Sequence, residues 1–302
     1  MQGQSNNSAQ QQGLFYGLIG VIGFSLTPPT TSLAVAGLDP TFVGLGRAVL
    51  AALPAAILLL LFRAPLPARR HMPGLVIVAL CAVILFPLLS AWSLFYLSAA
   101  NTGVILGILP LATAVAGVLR AGEHPSRLFW LTSALGSGTV MVFSLLNGGG
   151  ALQPGDLILL LAIVIAALGY AEGARLVPDL GGWQVICWAL VLALPVLLVP
   201  FLLVALPMSY NAPGSAWFGF LYLTLSSQLL SYFPWYRGLS LGGIARVSQL
   251  MLLMPFITIL ASQLMLDAEV SARTWLFAVL VVIIVAINKQ FAFSQSNATK
   301  GA

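Results

Sequence analysis

Charged residues are scarce in this chain of 302 residues, since only 6% are Asp, Glu, Lys or Arg while 60% are hydrophobic. Soluble domains carry about 25% charged residues. The polar surface available here is too small to cover a water-soluble globule of this length. The composition therefore excludes an ordinary soluble protein and indicates that lipid surrounds most of the chain.

Several chemical groupings are also missing. The two cysteines, Cys81 and Cys187, both fall inside apolar segments, so we expect no structural disulfide. No His, Cys, Asp or Glu cluster has metal-ligand spacing, and the apolar segments contain no nucleophile with a neighbouring base. No basic patch is interleaved with aromatic residues. The sequence therefore predicts no cofactor, no metal, no nucleic-acid partner and no enzymatic activity.

Apolar stretches of at least eighteen residues recur along the chain, each long enough to cross about 30 Å of hydrocarbon as a helix. Polar, Gly and Pro residues separate them. The predicted fold is an all-α membrane protein with ten transmembrane helices. The predicted spans are 13–36, 40–62, 72–99, 102–121, 126–146, 155–175, 182–206, 213–239, 243–266 and 273–293.

Basic residues predict the orientation. If the N-terminus is cytoplasmic, ten of the twelve Lys and Arg residues lie on the cytoplasmic side, as the positive-inside rule requires. We expect a multi-pass protein of the bacterial inner (cytoplasmic) membrane, with both termini in the cytoplasm. Residues 1–12, which are polar and rich in glutamine, are predicted to form a disordered tail, and 294–302 a second cytoplasmic tail.

Internal similarity indicates that the chain is a duplication. Residues 42–54 match 183–195 without gaps, 141 residues later, and the match includes the final Ala, Leu and Pro. Pro110 and Pro255 are each followed by a glutamate thirteen or fourteen residues later, Glu123 and Glu269. Five spans per repeat is an odd number, so the repeats, 13–147 and 154–293, must have opposite orientations in the membrane.

These residues resemble a known family, the EamA-type ten-helix branch of the drug/metabolite transporter superfamily. The resemblance rests on Arg47-Ala48 in the second span, on the two proline-to-glutamate spacings and on the glycine-rich fifth span. Gly136 and Gly138 of span five have no glycine counterparts in span ten. The chain is similar in particular to the aromatic amino-acid exporter subgroup, which implies export of aromatic amino acids and related compounds.

Charges within or near the spans are candidate functional groups, because burying them in lipid is costly. Arg47 lies about 10 Å inside span two. It either contacts a substrate carboxylate near the mouth, or snorkels outward or pairs with Asp39. Glu172 and Arg175 share a helix face and predict a local ion pair. Glu123 and Glu269, at helix ends, are expected to cap helices or anchor loops rather than act as gates.

The spans contain few other charges. Span one has no acidic residue, and no lysine lies deep in any span. A proton antiporter normally carries a titratable group in its path, and phosphorylated cargo needs cationic donors. We therefore expect a transporter of neutral or zwitterionic small molecules, such as aromatic and apolar amino acids. The alternative is a proton-driven exporter of cationic drugs.

Uncharged polar and aromatic side chains are the candidate lining of a substrate cavity, because such groups turn away from lipid. Those in span eight recur at intervals of four and three residues, so they share a helix face. An interfacial aromatic belt is the alternative for the tyrosine and tryptophan residues there. The candidate cavity residues are Trp92, Tyr96, Tyr170, Ser227, Gln228, Tyr232, Trp235, Ser248 and Gln249.

Prolines inside spans remove backbone hydrogen bonds and are candidate hinges for alternating access. Pro28 and Pro29 of span one, and the symmetric pair Pro110 and Pro255, are the principal ones. Small residues at intervals of four, as in Gly13 to Gly17, predict close helix packing. That packing lies either within one subunit or between the subunits of a homo-oligomer.

Overall fold

The computed structural model describes residues 2–96, 106–146, 154–208, 210–266 and 272–291, and this part of the chain is helical throughout, with no strand. Spans one to ten are numbered in chain order. Their helices are, in span one, Gln2–Ser25 and Thr27–Val35; two, Pro40–Leu61; three, Met72–Val78, Ala79–Leu85 and Phe86–Tyr96; four, Leu109–Ala121; five, Arg127–Leu146; six, Pro154–Leu180; seven, Gly182–Ala205; eight, Gly214–Tyr222, Leu223–Leu230 and Tyr232–Gly242; nine, Ile244–Ser248, Gln249–Leu253 and Met254–Leu266; and ten, Ala272–Phe291.

The helices suit a lipid environment. Within the described residues, five helices are long and apolar enough to cross a membrane, namely Ser8–Val35, Pro40–Leu61, Arg69–Tyr96, Pro154–Leu180 and Gly182–Ala205. Large apolar side chains cover the outside, and Leu60 and Leu206 are each 78% exposed. Such surfaces are unfavourable in water and favourable in hydrocarbon. The structure agrees with the prediction of an all-α membrane protein.

The first helix begins at Gln2, eleven residues before the predicted start of span one. The prediction of a disordered tail over 1–12 is therefore wrong for residues 2–12, which are helical. The reason is physical: glutamine and alanine favour helices, no proline interrupts the segment, and adding turns to an existing helix is much easier than starting a new one.

Helix contacts reveal an internal two-fold arrangement. Span two packs on span seven, span four on span nine, and span five on span ten, so each packs on its counterpart in the other repeat. Span one packs on span eight. Span six is the counterpart of span one and span three is the counterpart of span eight, and these two spans also pack on each other. This pattern is that of two similar halves with opposite orientations.

Spans three and eight share an unusual feature. Each contains a π-helical segment, Ala79–Leu85 in span three and Leu223–Leu230 in span eight. Pro87 and Pro234 follow these segments closely. A proline lacks the N–H that would bond four residues back and its ring pushes that carbonyl aside, which favours local widening of the helix. The π segments occupy corresponding positions in the two repeats, and they touch, because Gln228 Nε2 donates to Ala82 O at 3.3 Å.

The four candidate hinge prolines all lie in the first turn of a helix, where a missing N–H costs little. Pro28 and Pro29 begin Thr27–Val35 after a break at Leu26, Pro110 begins Leu109–Ala121, and Pro255 begins Met254–Leu266 after a 3₁₀ segment. The prolines therefore mark interruptions between helical pieces rather than bends within a continuous helix.

Spans one and eight approach closely through glycines. A Cβ on Gly13 would lie 2.4 Å from the backbone N of Gly242, and one on Gly238 would lie 2.5 Å from the backbone N of Gly17. Only residues without a side chain permit this distance. The seam predicted from Gly13 and Gly17 is therefore formed within one subunit.

Candidate substrate cavity

A small cavity lies between the two repeats, about halfway along the spans. Its volume is about 40 Å³, which is room for a few water molecules, since one needs about 10–15 Å³. In this conformation the cavity is too small for a bound amino acid. Its lining comprises Phe24, Thr27, Pro28, Arg47, Phe86, Ser90, Leu94, Leu106, Leu109, Leu159, Tyr170, Ser227, Tyr232 and Met254.

Arg47 turns into this cavity. Its side chain is buried, with 2% of the residue exposed, and Nη2 donates to Ser227 Oγ at 2.8 Å. Ser227 Oγ lies 2.7 Å from Thr27 Oγ1, so spans two, eight and one meet in one polar chain. Asp39 accepts instead from the backbone N–H groups of Thr41 and Phe42. The expectation that Arg47 snorkels outward or pairs with Asp39 is therefore wrong.

The inward direction of Arg47 follows from how span two packs. Phe42 and Gly46 of span two lie against Phe201 and Phe220, so this helix face fits closely against spans seven and eight. The next residue, Arg47, projects about 100° further round the helix. Packing thus fixes the rotation of the helix and carries the guanidinium into the interior.

No carboxylate of the described residues forms an ion pair with Arg47; the pairs that the structure shows involve Asp179 and Glu172 at the ends of the spans. The titratable groups that face Arg47 are Tyr170 and Tyr232. Its Nε has no hydrogen-bond partner within the described part of the chain. An arginine remains charged, and an uncompensated buried charge costs several kcal/mol. The site can therefore bind an anion.

Aromatic rings close one side of the cavity. Phe24 lies 5.0 Å from Tyr232 and 6.1 Å from Trp235 between ring centroids, and Tyr170 lies 5.5 Å from Trp235. Tyr236 extends the group at 5.2 Å from Tyr232. The rings are edge-on or tilted, the geometry that aromatic pairs prefer. They make a wall suited to an aromatic or aliphatic side chain.

Three of the nine predicted cavity residues line this space, namely Tyr170, Ser227 and Tyr232. Trp235 lies behind them, fully buried, so it does not belong to an interfacial belt. Gln228 bonds to Ala82 O of span three, and Ser248 Oγ donates to Ala245 O and Pro110 O.

The other three lie elsewhere. Trp92 and Tyr96 are 45% and 60% exposed near the end of span three, and Trp92 Nε1 donates to Thr41 Oγ1 at 3.2 Å. Gln249 lines a separate groove at the side of the molecule. Spacing along a helix predicts which residues share a face of that helix. It does not predict whether that face points towards the cavity.

Glu172 lies in span six, outside the lining of the cavity. It is fully buried and accepts from Arg120 Nε at 2.9 Å and from Arg175 Nε at 3.2 Å, with a further contact from Arg175 Nη2. The predicted pair with Arg175 is confirmed. The sequence did not predict the bond from Arg120, which joins span four of the first repeat to span six of the second. We call the end of the molecule that carries Arg120, Glu123, Glu172 and Arg175 the basic end.

Glu123 acts as a cap, as predicted, but on a helix of the other repeat. Its carboxylate accepts from the backbone N–H groups of Ile244 at 2.6 Å and Ala245 at 2.7 Å, the free donors that begin span nine. Span four is thereby tied to span nine at the basic end. Glu269, the predicted counterpart, lies outside the described residues.

Several residues that line the cavity were not predicted from the sequence, chiefly Phe24, Thr27 and the apolar residues of spans four, six and nine. Thr27 carried a signal, because a hydroxyl directly before two prolines in the middle of a span sits where backbone groups are unpaired. The apolar lining residues carried none, since they do not differ in type from the lipid-facing ones.

Ten spans, two repeats of opposite orientation and a largely apolar cavity between them that holds a buried arginine are typical of a polytopic membrane transporter. The chain belongs to the EamA-like transporter family, whose model matches it twice, over residues 11–145 and 153–289. It is 46% identical over 281 residues to the uncharacterised transporter YdeK of Bacillus subtilis (strain 168), covering 93% of this chain and 98% of that protein. One crystal structure, described only as that of a protein, has a TM-score of 0.74 at 16% identity and covers 91% of this chain and 97% of its own, which shows a common fold.

Proposed function

We propose that this transporter carries small zwitterionic metabolites, in particular aromatic and other apolar amino acids, and that it exports them or facilitates their passage by alternating access. The observation that carries this proposal is Arg47, a buried cation in an enclosed cavity with no carboxylate partner in the described chain. We assign Arg47 the role of binding the substrate carboxylate.

The charge of the site supports a single carboxylate. A guanidinium presents N–H donors in a planar fork that matches the two oxygens of a carboxylate. A phosphate ester carries more negative charge and requires further cations, and the residues that line the cavity offer one arginine and no lysine. A monoanionic group is therefore the better match.

The rest of the lining supports an amino acid with an apolar side chain. Hydroxyls of Thr27, Ser227 and Tyr170 lie in the cavity with Arg47 and can accept hydrogen bonds from an α-ammonium group. Phe24 and Tyr232 supply apolar surface for a ring or an aliphatic chain. A cationic drug would instead be repelled by Arg47, which counts against the alternative function.

The interruptions of the helices support alternating access. The cavity as it stands has room for only a few water molecules, so the spans around it must separate to admit a substrate. The prolines that begin Thr27–Val35, Leu109–Ala121 and Met254–Leu266 and the π segments of spans three and eight are the places where these spans can bend. We propose that the basic end faces the cytoplasm of a bacterium, in accordance with the positive-inside rule.

Uptake into proteoliposomes tests the proposal. The purified chain is reconstituted, and uptake of labelled phenylalanine, tryptophan and threonine is measured with and without an imposed pH gradient. We expect uptake of the aromatic amino acids without a gradient, and its loss in Ser227→Ala but not in the neighbouring control Ser226→Ala. No amino-acid uptake under either condition would overturn the proposal, and strict dependence on the gradient would overturn facilitated passage.

A further inference from the structure

A second recess lies outside the cavity, on the surface that faces lipid. It runs between spans one, nine and ten near the basic end, and encloses about 310 Å³. This volume is within the range of about 300–1,000 Å³ that is typical of ligand sites. The groove shares no lining residue with the substrate cavity. Its lining comprises Leu14, Phe15, Leu18, Arg246, Gln249, Leu250, Val282, Val285 and Ala286.

The walls of the groove are apolar and open to the membrane. Phe15 is 63% exposed and Val282 is 52% exposed, on the two sides of the groove. Hydrocarbon is the medium at this surface, so an acyl chain fits the walls better than water does. Apolar walls alone do not distinguish a specific lipid from the bulk membrane.

Two polar side chains distinguish this groove from the purely apolar surface that faces the bulk membrane. Arg246, half-buried in the first turn of span nine, stands at its end, where the neighbouring Glu123 already accepts two backbone N–H groups. Gln249 lies one helical turn further in and is 2% exposed. Its Nε2 makes one long bond of 3.4 Å to Ala245 O, and no donor within the described residues reaches its Oε1. A polar group left partly unpaired beside hydrocarbon is costly.

The spacing of these two groups fits a glycerophospholipid. Along a lipid, the phosphate lies outermost, the ester carbonyls come next and the acyl chains follow. Arg246 and Gln249 are three residues apart, or about 4.5 Å along the helix axis, in the same order from the basic end inwards. A guanidinium binds phosphate oxygens, and the second amide N–H of Gln249 can donate to an ester carbonyl.

We propose that this groove binds one phospholipid from the leaflet at the basic end, with its phosphate at Arg246, an ester carbonyl at Gln249 and one acyl chain along spans one and ten. The water that hydrates ester groups then reaches Gln249 Oε1. The site is distinct from the transport path and independent of the proposed substrate.

Lipid binding to the purified full chain tests the proposal. Delipidated protein in detergent is titrated with phosphatidylglycerol, phosphatidylethanolamine and the phosphate-free galactosyl diacylglycerol, and bound lipids are counted by native mass spectrometry. We expect one tight site for both phospholipids and at least tenfold weaker binding of the phosphate-free lipid. Tight binding of phosphatidylglycerol alone would overturn recognition through the shared phosphate.

Variants separate the two parts of the site. Arg246→Gln should weaken phospholipid binding about tenfold, and Ala286→Phe, which fills the groove from the exposed side of span ten, should abolish the tight site. Arg273→Gln is the control, because that arginine lies at the other end of the molecule and donates to Leu146 O. Equal binding of all three lipids, or unchanged binding in both Arg246→Gln and Ala286→Phe, would contradict the proposal.

Discussion

The two ends of the molecule are held together by different interactions. At the basic end, the described residues include a buried carboxylate between two arginines, a glutamate that caps a helix of the other repeat, and a seam of four glycines. At the opposite end, the hydrogen bond from Trp92 to Thr41 joins exposed side chains. Buried charge-assisted bonds are worth more than exposed neutral ones. Of these hydrogen bonds and ion pairs, those at the basic end are therefore the stronger.

This difference bears on transport. Under the proposed alternating access, a substrate that reaches the cavity from one side leaves by the other, so the contacts that close each end break in turn. At the basic end, opening requires span four to leave Glu172 and the start of span nine. Substitutions at the two ends should consequently differ in their effects on stability.

Replacing Gly238 tests the closest helix contact at the basic end. A Cβ there would lie 2.5 Å from the backbone N of Gly17. Because rigid backbone cannot yield as a side chain does, Gly238→Ala should destabilise the protein by about 3 kcal/mol or more. The measurement is the apparent Tm in detergent. Gly138→Ala is the matched control, since a Cβ on Gly138 meets nothing within 4 Å, and it should be neutral or slightly stabilising.

Removing the charge of Glu172 tests the bridge between spans four and six. Glu172→Gln keeps a hydrogen-bond acceptor but loses two charge-assisted bonds, and both arginines are partly exposed, which reduces the loss. We expect a destabilisation of about 2 kcal/mol. The apparent Tm again reports it, with Asp179→Asn as the exposed comparison, whose contacts with Arg70 at 3.8 Å and with His71 Nε2 at 2.9 Å should contribute less. An equal effect of the two substitutions would remove the distinction between buried and exposed pairs.

Replacing Glu123 should destabilise the protein less than replacing Glu172. In Glu123→Gln the amide oxygen still accepts from the start of span nine, and only the favourable interaction of a full charge with that helix end is lost. We expect a cost of about 1 kcal/mol. His124→Gln, at the neighbouring exposed position, serves as the control. A Glu123→Gln protein as stable as wild type would show that the carboxylate charge does not hold span nine.

Trp92 represents the opposite end and should matter least for stability. Trp92→Phe removes the donor of a bond between exposed side chains at 3.2 Å. Water replaces such a bond, so the change should be below about 0.5 kcal/mol. A larger loss of thermal stability would mean that the ends are held more equally than the described contacts indicate.

The sequence predicts the structural features that depend on composition and local spacing. Ten apolar spans, two repeats and the pairing of Glu172 with Arg175 all follow from hydropathy, similarity and an interval of three residues. The bond from Arg120 to the same carboxylate joins residues 52 apart in different spans, so local spacing gives no sign of it. The π segments had a signal in Pro87 and Pro234, because a proline inside a span removes a backbone hydrogen bond of the preceding turn.

Arg47 shows most clearly which features the sequence alone does not predict. Its depth in span two is readable from the sequence, but the direction of its side chain depends on which face of the helix packs on spans seven and eight. A residue seven positions into a span can reach the surface or the interior with equal ease. Only tertiary packing decides between these directions, and here it gives the cavity its one charge.

The binding of phenylalanine and phenethylamine to the wild-type protein and to Arg47→Gln tests whether Arg47 binds the substrate carboxylate, because these ligands differ only in the carboxylate. We expect wild type to bind phenylalanine much more tightly than phenethylamine. We also expect Arg47→Gln to lower the affinity for phenylalanine about 100-fold, or about 2.8 kcal/mol, and not to weaken the binding of phenethylamine. Equal affinity of the folded Arg47→Gln protein and wild type for phenylalanine would contradict the role of Arg47 as the carboxylate-binding group.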